Sequence, residues 1–208
     1  TINPNIINGL LAVAVVLMLF NVYTINDIKT SMGGTSILGA SSPQKQLTGD
    51  PVQDAINAVI PTGSAGLYGE SLSISFDDVT GGLDVLAALE RSIKVSDLNP
   101  TQKERFITMA TMPYTACEFC CGIGAAGFGR KDGSIACGCA HNLAFSGLSK
   151  YILLNHENDY TNEEIFDHIQ KWKALFFPKQ MIQRYMQVQE AGGDMSALED
   201  LPGMVGGC

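Results

Sequence analysis

Five of the six cysteines and one of the three histidines in this 208-residue chain fall between positions 117 and 141. They make two arms: Cys117-Glu-Phe-Cys120-Cys121, then 15 residues rich in glycine, then Cys137-Gly-Cys139-Ala-His141. Thiolates and imidazoles are the donors that Zn²⁺ and other soft ions select, and two arms of paired ligands some 15–20 residues apart is a usual spacing for such sites. The candidate metal ligands are therefore Cys117, Cys120, Cys121, Cys137, Cys139 and His141.

Cys117 and Cys120 have the spacing of a good first arm, while Cys137-x-Cys139 is one residue tighter than the usual knuckle. Cys120 and Cys121 are neighbours whose side chains diverge, so one of them is spare or a second ion is present. Soft ligands can share a bridging sulfur, and this donor set suffices for two Zn²⁺ or Cu(I) ions; an iron–sulfur centre ranks behind them. If Cys121 is the spare thiol, its nearest candidate partner is Cys208 on the tail. An even cysteine count also suits a disulfide network in an exported domain, and a thiol redox couple is the third use. Zinc or copper is preferred, and metal versus disulfide stays open.

The placement of His141 depends on the backbone. An extended 137–141 stretch brings Cys137, Cys139 and His141 to one edge, whereas a helix pairs 137 with 141 and swings 139 away. If Cys139 opens the helix that follows, first-turn amides and the helix dipole favour its thiolate. Gly122-Ile-Gly-Ala-Ala-Gly127 spells a dinucleotide fingerprint, but a cysteine pair rather than a strand precedes it. No Ser/His/Asp set, framed pair of catalytic carboxylates or phosphate loop is visible, so a non-enzyme is the favoured reading. His156 reads as a helix C-cap, His168 as a surface residue, and Met181 and Met186 as core packing.

The run Ile135-Ala-Cys-Gly-Cys139-Ala-His-Asn142, continuing through Leu148 into an apolar helix, resembles the core of the bacterial PCYCGC-motif proteins. That resemblance rests on Cys137, Cys139 and His141 and implies an anchored, extracytoplasmic protein with a metal-binding role. The Pro-Cys-Tyr lead-in and the downstream cysteine pair of that family are missing here, and Cys117, Cys120 and Cys121 lie upstream instead.

Residues 1–26 carry no charged side chain, and positions 6–23 are almost wholly apolar. Eighteen helical residues rise about 27 Å, close to the ~30 Å hydrocarbon thickness of a bilayer. Residues 1–29 therefore read as a transmembrane-type anchor or assembly helix, with the lipid bilayer or identical subunits as partner. The layout also resembles type IV pilin-like subunits, which bury such a helix in a filament core; Asn5 stands near the position where many of those carry an acid. The expected location is a membrane-anchored extracytoplasmic domain or an extracellular filament, in an oligomeric assembly.

Residues 30–50 are rich in Ser, Gly, Thr and Pro and read as a flexible linker. The fold class expected beyond it is mainly α: a helical, cysteine-rich domain over 51–191 and a Gly-rich tail over 192–208. Helices are predicted at 54–60, 77–93, 101–112, 143–154, from the Thr161-x-x-Glu164 capping box onward, and after Pro178. Leu72, Ile74 and Phe76 alternate with serines and predict one short strand. Net charge is −8 with scattered basic residues, which argues against nucleic acid as a partner.

Overall fold

A computed structural model of the chain describes residues 48–121, 126–190 and 192. The expected apolar helix, most of the linker, and the tail with Cys208 lie outside the described residues. Among the described residues the fold is mainly helical, with eight α-helices and no strand longer than an isolated bridge. No helix among them is long and apolar enough to cross a membrane.

Local signals set most of the helix starts. α1 (Pro51–Val59) is capped by Asp50, whose side chain accepts from the amides of Val52 and Gln53. After α2 (Leu67–Leu72), α3 (Val79–Ser92) starts at Asp78, whose carboxylate accepts from Gly81 N–H. A single 3₁₀ turn at Val95–Asp97 leads to α4 (Pro100–Thr111), where Asn99 and Gln102 form a reciprocal capping box ahead of a first-turn proline. The four-residue α5 (Glu118–Cys121) carries the first cysteine arm, and α6 (Ala140–Asn155) follows the second. Thr161 and Glu164 box the start of α7 (Asn162–Phe176), and Pro178 opens α8 (Pro178–Glu190).

α6 is the central element, packed against α3, α4 and α7. Ala144, Phe145, Leu148, Ile152 and Leu153 on it are completely buried. Each large side chain so buried contributes about 1.5–3 kcal/mol. The contact of α6 with α3 is backbone-close at Gly147, where an added Cβ would sit 2.1 Å from the Leu86 carbonyl oxygen. Lys150 of α6 closes the far end of α3, donating to Glu90 Oε1 at 2.7 Å and to the Ile93 carbonyl at 3.0 Å. Arg105 of α4 holds the loop after α6 by donating to the Glu157 and Tyr160 carbonyls and to Asn162 Oδ1. A second, smaller apolar cluster joins Val59, Ala174 and Met181 to Phe119 of α5, and so anchors the cysteine arm.

Two expectations are corrected. Instead of a strand at 72–76, α2 ends at Leu72, Ser73 adopts a left-handed conformation with φ 56°, and only Ser75 pairs, with Ser64. Ile74 and Phe76 donate their amides to the Gly69 and Gly63 carbonyls, each at 2.9 Å, so the alternation belongs to a loop anchored on the core. His168 is not a surface residue. Its Nδ1 lies 3.1 Å from the hydroxyl of the buried Tyr68, which also accepts from Trp172 Nε1 at 2.9 Å. Desolvation pushes the His168 pKa down to about 4, so the ring is neutral at pH 7. His156, by contrast, is the C-cap of α6, as its position predicts.

Candidate metal centre

The two cysteine arms meet where α5 passes the amino end of α6. Cys139 is the N-cap of α6, and its Sγ accepts from Asn142 N–H at 3.4 Å. A cap side chain folds back over the first turn, which brings Cys139 beside His141 on the second helical residue. On the other arm, Cys117 immediately precedes α5 and Cys120 lies within it, so one turn aims both toward α6. Donor atoms of Cys117, Cys120, Cys139 and His141 all lie within 4.8 Å of one another. Cys120 Sγ and His141 Nδ1 are 3.4 Å apart.

Those lengths suit a tetrahedral ion. With Zn–S near 2.3 Å and Zn–N near 2.0–2.1 Å, ligand atoms on a tetrahedron stand about 3.5–3.8 Å apart. Closing the four donors onto an ion thus takes movements of roughly 1 Å or less, within side-chain reach. Cys117 is buried at 1 % exposure, and the other three donors are half-buried. The His141 ring packs on Phe176 and Phe177, with centroids 5.1 and 4.7 Å away, so aromatic carbon walls one side.

The surroundings favour thiolate at Cys139 and thiol at Cys117. The Cys139 pKa is pushed far down, first because the Cys117 thiol donates to it, with burial opposing and His141, the Asn142 amide and Cys137 assisting. The Cys117 pKa moves far up for the matching reason, the bond to Cys139 followed by burial. Both shifts trace first to the same Cys117–Cys139 contact, a pair of sulfurs that a metal ion would take as thiolates with loss of the proton.

Of the six sequence candidates, four come together. Cys137 does not fall within the group of four, because the helix begins after Cys139 rather than before it. Cys139 opens the helix, one of the cases considered, while 137–141 is neither wholly extended nor wholly helical: 139 pairs with 141 through the helix cap, and 137 lies upstream of it. The side chain of Cys121 lies outside the described residues. No disulfide joins Cys117, Cys120, Cys137 and Cys139 to one another.

Residues outside the donor group hold the site together. Asn142 is fully buried; its Oδ1 accepts from Cys117 N–H at 3.4 Å, and its Nδ2 donates to the Phe128 and Cys137 carbonyls at 2.8 and 2.9 Å. One side chain thereby ties both arms and the loop between them. Gly127 lets that loop press on α4, since a Cβ there would meet the Ala110 carbonyl oxygen at 2.1 Å. Glu118, inside the first arm, is 4 % exposed and bonds Lys173 at 3.0 Å and Arg184. Lys173 also donates to the Tyr114 carbonyl, which receives a further bond from Gln170 at 2.9 Å. Two cations around one carboxylate leave a surplus positive charge beside Cys117, and it complements thiolates. Burial lowers the Lys173 pKa, while Glu118 acts to raise it.

No family model, curated protein or solved structure matches the chain. The site's own geometry is therefore what speaks to function.

Proposed function

We propose that this protein binds a soft metal ion, Zn²⁺ or Cu(I), in a Cys₃His centre made by Cys117, Cys120, Cys139 and His141. The observation that carries the reading is the convergence of four such donors, from two separate segments, within 4.8 Å. A tetrahedral set of sulfur and nitrogen suits Zn²⁺ first and Cu(I) second. Four protein donors leave no open position for a substrate or an activated water, so the centre is for binding, storage, delivery or structure rather than Lewis-acid catalysis.

Ion binding joins α5 to the cap of α6 and so couples metal affinity to the stability of the domain. The charge-free residues 1–26 support carrying this centre on a membrane-anchored, extracytoplasmic protein. The same residues fit a subunit of a filament or membrane complex in which the centre stiffens the domain.

Elemental analysis of the purified full-length protein, beside a thiol count before and after denaturation with chelator, tests the centre. The expected result is stoichiometric zinc or copper with thiols that react only once the ion is removed. Absence of metal together with cysteines recovered as disulfides overturns it. Partition of the full chain with membranes or polymer, and not as a detergent-free soluble monomer, is the matching result for residues 1–26.

A further inference from the structure

Away from the metal centre, the fold aligns Ser71, His156 and Asp159, although 85 residues separate the serine from the histidine. His156 Nε2 lies 3.5 Å from Ser71 Oγ, and its Nδ1 lies 3.3 Å from Asp159 Oδ2. A carboxylate only accepts, so Asp159 selects the Nδ1–H tautomer and leaves the Nε2 lone pair facing the hydroxyl. This is the order of a nucleophile, its base and the group that orients the base.

Three sets of contacts brace the alignment. Asp159 N–H donates to the His156 carbonyl at 3.0 Å, a turn that folds the carboxylate back onto the ring. Arg105 clamps this turn by donating to the carbonyls of Glu157 and Tyr160. The Tyr160 hydroxyl accepts from Leu67 N–H at 3.1 Å and so docks α2, one turn before Ser71, on the same loop. Ser71 Oγ donates to the Leu67 carbonyl at 2.9 Å, and rotation of the O–H bond alone turns that proton to Nε2.

We infer that Ser71 is a nucleophile with His156 as its base and Asp159 as a positioning residue, and that it takes acyl groups from neutral esters of short aliphatic acids. Ser71 is exposed, so a substrate reaches it without any opening of the fold. Leu67, 49 % exposed and one turn before it on α2, gives the acyl chain an apolar flank. The Tyr151 ring, 5.9 Å from the His156 ring between centroids, gives another. Glu70 and Asp159 are exposed beside the nucleophile and its base, and they repel substrates that carry a carboxylate. In acylation Ser71 Oγ bonds to the ester carbonyl carbon and its proton passes to His156 Nε2. The bond to the leaving alkoxide breaks, and that oxygen takes the proton from Nε2. Water then bonds to the acyl carbon, giving a proton to Nε2, and Ser71 Oγ leaves with that proton restored. No electrons change hands, and water is the sole co-reactant. None of the three residues belongs to the group of four metal donors, so the inference stands apart from the metal-centre reading.

The test treats full-length protein with diisopropyl fluorophosphate, which loses fluoride as a serine oxygen bonds to phosphorus, and separately with p-nitrophenyl butyrate. The expected result is an adduct that peptide mass spectrometry places on Ser71, and p-nitrophenol release that is lost in Ser71→Ala. His156→Gln should slow both reactions by about 100-fold or more, the scale of a positioned general base. Asp159→Asn, at an exposed position that tolerates exchange, should also slow both, and Asp159→Glu should restore part of the loss while the two variants unfold at the same temperature. Absence of an adduct on Ser71, or equal labelling of wild type and His156→Gln, overturns the inference. Should His156→Gln fail to fold, equal rates in wild type and Asp159→Asn overturn it instead. Ester cleavage that persists in Ser71→Ala belongs to another group and contradicts it as well.

Discussion

Cys120 Sγ and His141 Nδ1 stand 3.4 Å apart although 21 residues separate them in the chain. The contact joins the short α5 to the first turn of α6, with Cys117 and Cys139 completing the group.

Cys117, Cys120, Cys139 and His141 should behave as one unit. With metal present, Ser at any of the cysteines or Ala at His141 should destabilise the domain about as much as any two together, because each removes the ion's contribution to folding. Thermal unfolding of the single and double variants, with and without chelator, measures this. Additive losses, or losses unchanged by chelator, count against a shared ion.

Asn142→Ala removes one acceptor and two donor bonds among buried groups. Each stranded backbone group costs about 1–3 kcal/mol, and support residues of this kind change metal affinity by roughly 10–100-fold. Asn142→Asp restores the acceptor alone and should recover only part of either loss. Denaturant unfolding and competitive zinc titration give the two numbers, and a variant like wild type in both would remove Asn142 from the account.

The buried pair Glu118–Lys173 predicts non-additive energetics. Replacing either residue alone by an apolar one leaves a charge stranded and should cost about 3–5 kcal/mol. Replacing both should cost less than the sum, a coupling that a double-mutant cycle reads directly. Additivity would mean that the two charges do not depend on one another despite their 3.0 Å separation.

His168 predicts an acid-side loss of stability. Its folded pKa, about 4, lies below the ordinary value of 6.5, so the unfolded chain binds more protons between those values. The stabilisation is complete above pH 6.5 and is lost as pH falls toward 4. The total is on the order of 3 kcal/mol. Lys171 adds to the lowering of the pKa, while Asp167 and Glu164 act against it. Unfolding free energies of wild type and His168→Gln across this range should converge as pH drops, and parallel curves would contradict the assignment.

Much of the helical frame was legible because its signals are local. Asn99 with Gln102, Thr161 with Glu164, and Pro178 each mark a helix start through groups within three residues of one another. The strand expected at 72–76 failed because period-two alternation also arises in a loop pinned by its own amides, here to Gly69 and Gly63. The cysteine and histidine donors stood out by type and spacing. Which cysteine stays outside the four did not, since it depends on α6 starting one residue after Cys139.

The supporting residues were invisible for a different reason. Lys173 lies 55 residues from Glu118 and directly follows Trp172, a fully buried residue of the same helix. Nothing nearby in the sequence says that its ammonium is buried. Asn142 was legible as part of a motif, but its reach to Phe128 and Cys117 appears only when the two arms close.

Cobalt(II) titration of reduced, metal-free, full-length protein tests the Cys₃His assignment most directly. The assignment predicts saturation at a single ion per chain, with intense tetrahedral ligand-field bands and sulfur-to-cobalt charge transfer, and with the bands displaced by added Zn²⁺. Substituting Cys117, Cys120, Cys139 or His141 should each alter that spectrum, and Cys137→Ser should leave it unchanged. A weak octahedral spectrum, or a tetrahedral one that survives loss of Cys139 or His141, would contradict the assignment.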